Sequence, residues 1–134
     1  MSNIESRIGV IKASEEKIYN FLSNFNHFRN LIPEDQVKDW VSTEDSCSFV
    51  VDGIGKAGLK ITGKDPYKLI KITSDAGTPL PFRLWIQIKS VETNDSRIKI
   101  TVDMDVSPVM LPLIKGPLQN FVDTLVDQAE KMEF

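Results

Sequence analysis

The chain has 134 residues, 41% of them hydrophobic and 26% charged, with a formal net charge of −3. That length and balance predict a single soluble domain over residues 1–134, able to bury roughly two-thirds of its unfolded surface. The mild acidity argues against a nucleic-acid partner, whose footprint would be basic, and no run approaches the roughly 18 apolar residues of an integral membrane segment.

In chain order, Ile4, Ile8 and Val10 alternate with Glu5, Arg7 and Gly9 and predict a first strand. Met1–Lys12 carries charges and no apolar run, unlike a signal peptide. Ser14 is a good N-cap, and Glu15 and Glu16 complement the dipole of a short helix with Ile18, Phe21, Leu22 and Phe25 on one face. Asn26 is placed to cap a second helix carrying Phe28, Leu31 and Ile32 and stopped at Pro33. From Val37 the period becomes two. Strands are expected over Val37–Thr43, Ser46–Asp52, Lys56–Gly63, Tyr67–Ser74, Phe82–Glu92 and Arg97–Val106. Their short connections favour an antiparallel meander. After Val109–Ile114, which is expected to make another helical turn set off by a kink, Pro117 is the expected first residue of a long helix to Met132. Its apolar stripe is Leu118, Phe121, Val122, Leu125, Ala129 and Met132.

That stripe needs a partner, and the apolar parity of the sheet is the large surface on offer. On the strongest strands this parity comprises Phe82, Leu84, Ile86 and Ile88, facing Ile98, Ile100, Val102, Met104 and Val106. Cys47, Phe49, Val51, Leu59, Ile61, Ile70 and Ile72 are expected to join it. A curved sheet closed by one helix leaves space between them for an apolar small molecule. The expected wall is Phe82, Leu84, Ile86, Ile100, Val102, Met104, Leu118, Phe121, Val122 and Leu125. The same residues filling a solid core is the alternative.

Other motifs carry less chemistry. Gly53-Ile54-Gly55-Lys56-Ala57-Gly58 matches G-x-G-x-x-G, but the alternating Leu59-Lys60-Ile61-Thr62-Gly63 that follows is no helix opening onto a pyrophosphate. A bend in the sheet is the expected role. Lys56, Lys60, Lys64, Lys68 and Lys71 read as solvated strand positions. His27, the only histidine, is expected at a helix start in a surface or capping role. Cys47, the only cysteine, makes no disulfide or standard zinc site and is expected to pack as a small apolar residue in a reducing, cytoplasmic compartment. Asp103 with Asp105 and Asp123 with Asp127 are possible carboxylate pairs, assigned to the solvent side. Trp85 falls on a polar parity; it is either an exposed interaction residue or covered by the helical pair. No catalytic residue, metal site or cofactor is assigned.

Ala13-Ser14-Glu15-Glu16-Lys17-Ile18-Tyr19-Asn20-Phe21-Leu22-Ser23-Asn24, followed by Phe28 and Pro33, resembles the opening of the START-like, or SRPBCC, superfamily. Pro117-Leu118-Gln119-Asn120-Phe121 resembles the start of its long helix. Glu15 replaces a frequent proline, and Leu31 stands near where many members have tryptophan. The resemblance implies an α+β helix-grip fold, β-α-α-β6-α, with a seven-stranded antiparallel sheet around the C-terminal helix. It implies binding of lipids, sterols, quinones or polyketides, with cyclase or dehydratase activity in some members. The leading expectation is a carrier or sensor of an apolar ligand. A cyclase or dehydratase using His27, Asp39 or Arg83 is one rival, and a module with a protein partner at Trp40 or Trp85 is another.

Overall fold

The structure, a computed structural model, describes residues 2–28, 37–51, 55–74, 82–104 and 107–132. Strands β1 (Ser2–Glu5) and β2 (Gly9–Ile11) precede helices α1 (Glu15–Leu22) and α2 (Phe25–Phe28). Strands β3 (Val37–Ser42), β4 (Ser46–Val51), β5 (Gly55–Asp65), β6 (Leu69–Ser74), β7 (Phe82–Glu92) and β8 (Asp95–Met104) follow, and α3 (Leu111–Lys131) ends the series. Among the described residues, eight strands form one antiparallel sheet in the order β1-β8-β7-β6-β5-β4-β3, with β2 also paired to β8. The expected first strand is therefore broken into two, which share one edge of the sheet. At the break the Ser6 hydroxyl accepts from the Ile100 N–H at 2.9 Å, a side chain standing in for a ladder carbonyl.

Sheet register places the apolar parity in rows. Ile61, Ile72, Leu84, Val102 and Ile4 are successive cross-strand partners from β5 to β1. Register shifts interrupt β3 at Lys38/Val41, β5 at Ile61/Gly63 and β7 at Ser90/Glu92, and such bulges bend a sheet. The concave face is covered by α1 over β6 and β7 and by α3 over β1, β2 and β8. Ile18, Phe25, Ile70, Val122 and Val126 are fully buried at the junction, each worth roughly 1.5–3 kcal/mol relative to exposure.

Local chemistry sets the helix ends. Ser14 caps α1, its Oγ accepting from the Lys17 N–H at 3.3 Å. Asn24, rather than Asn26, opens α2, accepting from the Asn26 N–H at 2.9 Å. The Phe25 N–H donates to the Glu44 carbonyl and Ser42 Oγ donates to Asn26 Oδ1, docking α2 on the β3–β4 hairpin. The continuation expected through Leu31, Ile32 and Pro33 lies outside the described residues, as do Gly53, Ile54, Asp105 and Val106.

The long helix does not start at Pro117. It begins at Leu111 and runs through Pro117. Pro112 takes the early position that suits proline's fixed φ, and Ser107 collects the first amides: its Oγ accepts from Met110 N–H at 3.3 Å and its carbonyl from Leu111 N–H at 3.0 Å. Gly55–Gly58 pairs residue by residue with β4, so the glycine string opens a strand and no phosphate-binding helix follows it.

Candidate functional site

A small hollow of about 30 Å³ lies between the sheet, the α1–α2 pair and α3, lined by Leu22, Phe28, Trp40, Phe49, Leu59, Ile72, Leu84, Ile86, Ile98, Ile100, Phe121, Leu125 and Ala129. Apart from the indole N–H of Trp40, none of these side chains carries a polar atom. The hollow has room for roughly one or two waters, and an apolar space of that kind stays dry. It is far smaller than the roughly 300–1,000 Å³ of pockets that enclose drug-sized ligands.

Of the ten residues expected to form a wall, Leu84, Ile86, Ile100, Phe121 and Leu125 border the hollow. Val102, Met104 and Val122 are buried but do not line it, and Phe82 and Leu118 are partly buried against the core. Phe49, Leu59 and Ile72 border it on the parity expected of them.

Trp40 is the residue that parity misses. Alternation from Val37 would send Asp39 and Val41 inward and Trp40 outward. Asp39 instead adopts a left-handed backbone, φ 56°, at the bulge between Lys38 and Val41. The parity flips, leaving Val41 66% exposed and Trp40 stacked on Phe49, ring centroids 5.3 Å apart at 23°. Phe49 in turn stacks on Phe121 at 6.2 Å and 21°, so three aromatic rings link β3, β4 and α3. Trp40 Nε1 is buried and has no hydrogen-bond partner.

The groups that an acid–base reading would use lie elsewhere. His27 stacks on Phe21, with Nδ1 2.9 Å from the Phe21 carbonyl, a capping contact. Asp39 is exposed. Arg83 sits on the opposite, convex face, where a groove of about 170 Å³ is bordered by Thr62, Lys71, Ile72, Thr73, Arg83 and Trp85. Trp85 is thus half-buried on the outer face of the sheet, away from the helical pair.

One solvent-side assignment needs correction, and a second pair stays on the solvent side but is engaged there. Asp103 is only 5% exposed, because β8 lies between β7 and the β1–β2 edge and the longer Arg83, its cross-strand partner, lies over it. Arg83 Nη2 is 3.3 Å from Asp103 Oδ2, and Oδ1 has no partner. Asp123 and Asp127 are not free surface charges either. Asp123 Oδ1 accepts from the Arg7 backbone N–H at 2.9 Å, and Asp127 Oδ1 from Arg7 Nε at 2.9 Å. Arg7 Nη2 also pairs with Asp127 and Glu130. Glu130 Oε2 accepts from Val10 N–H at 2.8 Å, and Gln119 Nε2 donates to the Glu5 carbonyl at 2.7 Å. The strand break at Ser6–Ile8 is thereby fastened to α3. Glu130 is held below the usual carboxylate range, first by the Arg7 hydrogen bond and then by the Val10 amide.

Among the described residues, no cluster of histidine, cysteine and carboxylate side chains is arranged to hold a metal ion, and no helix is long and apolar enough to cross a membrane. No protein-family model and no curated protein matches the chain. Solved structures do resemble it. A START superfamily protein from Mycobacterium smegmatis shares 14% identity over 96% of this chain and 94% of its own, with a TM-score of 0.75. The Aha1 dimer from Colwellia psychrerythraea shares 22% identity over 97% of each chain, with a TM-score of 0.67. The di-domain ARO/CYC BexL from the BE-7585A biosynthetic pathway shares 12% identity over 98% of this chain and 46% of its own, with a TM-score of 0.74. The chain has the START-like, SRPBCC-type fold: a curved antiparallel sheet gripping a long C-terminal helix.

Proposed function

We propose that residues 1–134 act as one START-like domain that binds an apolar small molecule of lipid, quinone or polyketide-like character between the sheet and α3. The observation that carries this reading is the apolar hollow at the centre of the grip, on the flank of α3 opposite its polar anchor. The likeness to a START superfamily protein and an ARO/CYC protein supports a ligand-binding use of the fold, although fold by itself leaves function open.

The hollow is too small for such a ligand as it stands, so binding selects an opened form in which Phe121 and Leu125 stand away from the sheet. Leu84, Ile86, Ile100, Phe121 and Leu125 then make first contact. Phe82, Val102, Met104, Leu118 and Val122 form the next ring as the wall spreads, with Met104 adaptable in shape. A reducing, cytoplasmic setting belongs to the same reading, supported by a single cysteine, Cys47, that is buried in the core.

Native mass spectrometry of freshly purified protein, followed by extraction and identification of anything bound, tests the proposal. A discrete apolar molecule released on denaturation is the expected result. Ligand-free protein that also takes up neither a fatty acid nor a flat aromatic hydrocarbon at saturating concentration would refute it.

A further inference from the structure

Resting on that reading, we propose that Trp40 is a specificity-determining donor, and that the interior selects an apolar ligand with a flat face and one hydrogen-bond acceptor, such as a ketone oxygen. The argument starts from an unpaired group. The Trp40 indole N–H is buried without a partner, and a buried donor left unmatched destabilises the fold that contains it. Among the described residues, no side chain lining the hollow can accept its hydrogen: Phe28, Phe49, Leu59, Phe121 and the others are hydrocarbon. Water is a poor substitute, because a buried water needs roughly two to four polar partners and the described side chains lining the hollow carry one polar atom, the indole nitrogen itself. A matching acceptor must therefore arrive on a molecule whose remaining surface is apolar.

The flat face follows from the rings. Trp40 and Phe49, both on the sheet and so in place when α3 opens, lie within 23° of parallel, and Phe121 lies 21° from Phe49 before opening; a planar guest that takes the place of the Phe121 ring keeps this stacking, which a branched one cannot. The bulge at Asp39 makes the arrangement possible, since without it the indole would face solvent.

Fluorene and 9-fluorenone share one tricyclic skeleton and differ by a methylene in place of a carbonyl, so their affinities isolate the acceptor. In the wild-type chain the ratio of fluorene Kd to fluorenone Kd is expected to exceed that of Trp40→Phe by about tenfold, equal to about 1.4 kcal/mol. The indole ¹H–¹⁵N resonance of Trp40 is expected to move downfield with fluorenone and not with fluorene. That second readout uses the wild-type chain alone and stands even if Trp40→Phe fails to fold. Binding of both compounds with an unchanged ratio, or an indole resonance that responds alike to both, overturns the role of Trp40 and leaves the apolar-ligand reading standing. Binding of neither compound overturns the inference about Trp40, and if a fatty acid is not taken up either, the apolar-ligand reading falls with it.

Discussion

The two flanks of α3 are held by different physics. Toward β1 and β2, the helix is fixed by Arg7, Asp123, Asp127, Glu130 and Gln119 through hydrogen bonds with defined lengths and directions. Beneath them Gly9 lets the backbone meet the helix closely; a Cβ there would stand 2.6 Å from Val126 Cγ1. Toward β3 and β4, the helix meets the sheet through Phe121 and Phe49 across an incompletely filled apolar space. Directional bonds hold one geometry, whereas apolar contacts are non-directional and can repack. The comparison predicts that α3 opens by turning about the β1–β2 edge, with the aromatic flank as its moving side.

Truncation on the moving side should have the largest effect. Phe121→Ala removes a ring that is 8% exposed and enlarges the hollow, at a cost of about 3–5 kcal/mol by chemical denaturation. On folded protein it should also change retention of a bound apolar molecule more than Asp123→Ala does. Equal retention in the two variants would mean that the wall is not where it is proposed. On the fixed side, Gly9→Ala forces a methyl against Val126 and Ile98 and should cost about 1–3 kcal/mol, as overpacking does. A neutral Gly9→Ala would show that the anchored edge yields as readily as the aromatic one, and the asymmetry would fail.

Much of the fold is legible in the sequence because a period of two is local. Leu84, Ile86 and Ile88, with Ile98, Ile100, Val102 and Met104, face inward as their alternation requires. Trp40 was not legible by the same rule, since one bulge reverses every side chain after it. The available signal was Asp39, an aspartate being among the few residues that tolerate a left-handed backbone. Pro117 misled because two prolines compete for the helix start, and the choice of Pro112 depends on Ser107 and its contacts. Asp123 and Asp127 look like ordinary solvent charges until Arg7, more than a hundred residues away, is brought alongside. Parity identifies which side chains face the interior. It is silent on whether their summed volumes fill it, so the hollow itself has no signature in the sequence.

The smallest expected effect is a pH dependence confined to the fixed flank. Arg7 stays charged, its guanidinium held protonated more firmly than usual by Glu130 and Asp127. Glu130 therefore sets the titration. Its folded pKa lies below the ordinary 4.5, so the folded chain binds fewer protons than the unfolded chain between those two values. The contribution is fully present above about pH 4.5 and is lost as pH falls through the folded value. The side chains of Arg7 and Asp127 are 43% and 49% exposed, and solvent screening limits the effect to about 1 kcal/mol or less. Denaturant melts between pH 7 and pH 3 should show this increment in the wild-type chain and its absence in Glu130→Gln. Because none of the described residues lining the hollow carries a titrating side chain, affinity for an uncharged apolar molecule should stay level over the part of that range where the protein remains folded. Affinity that fell together with stability would mean that the anchor and the opening side are coupled rather than separate.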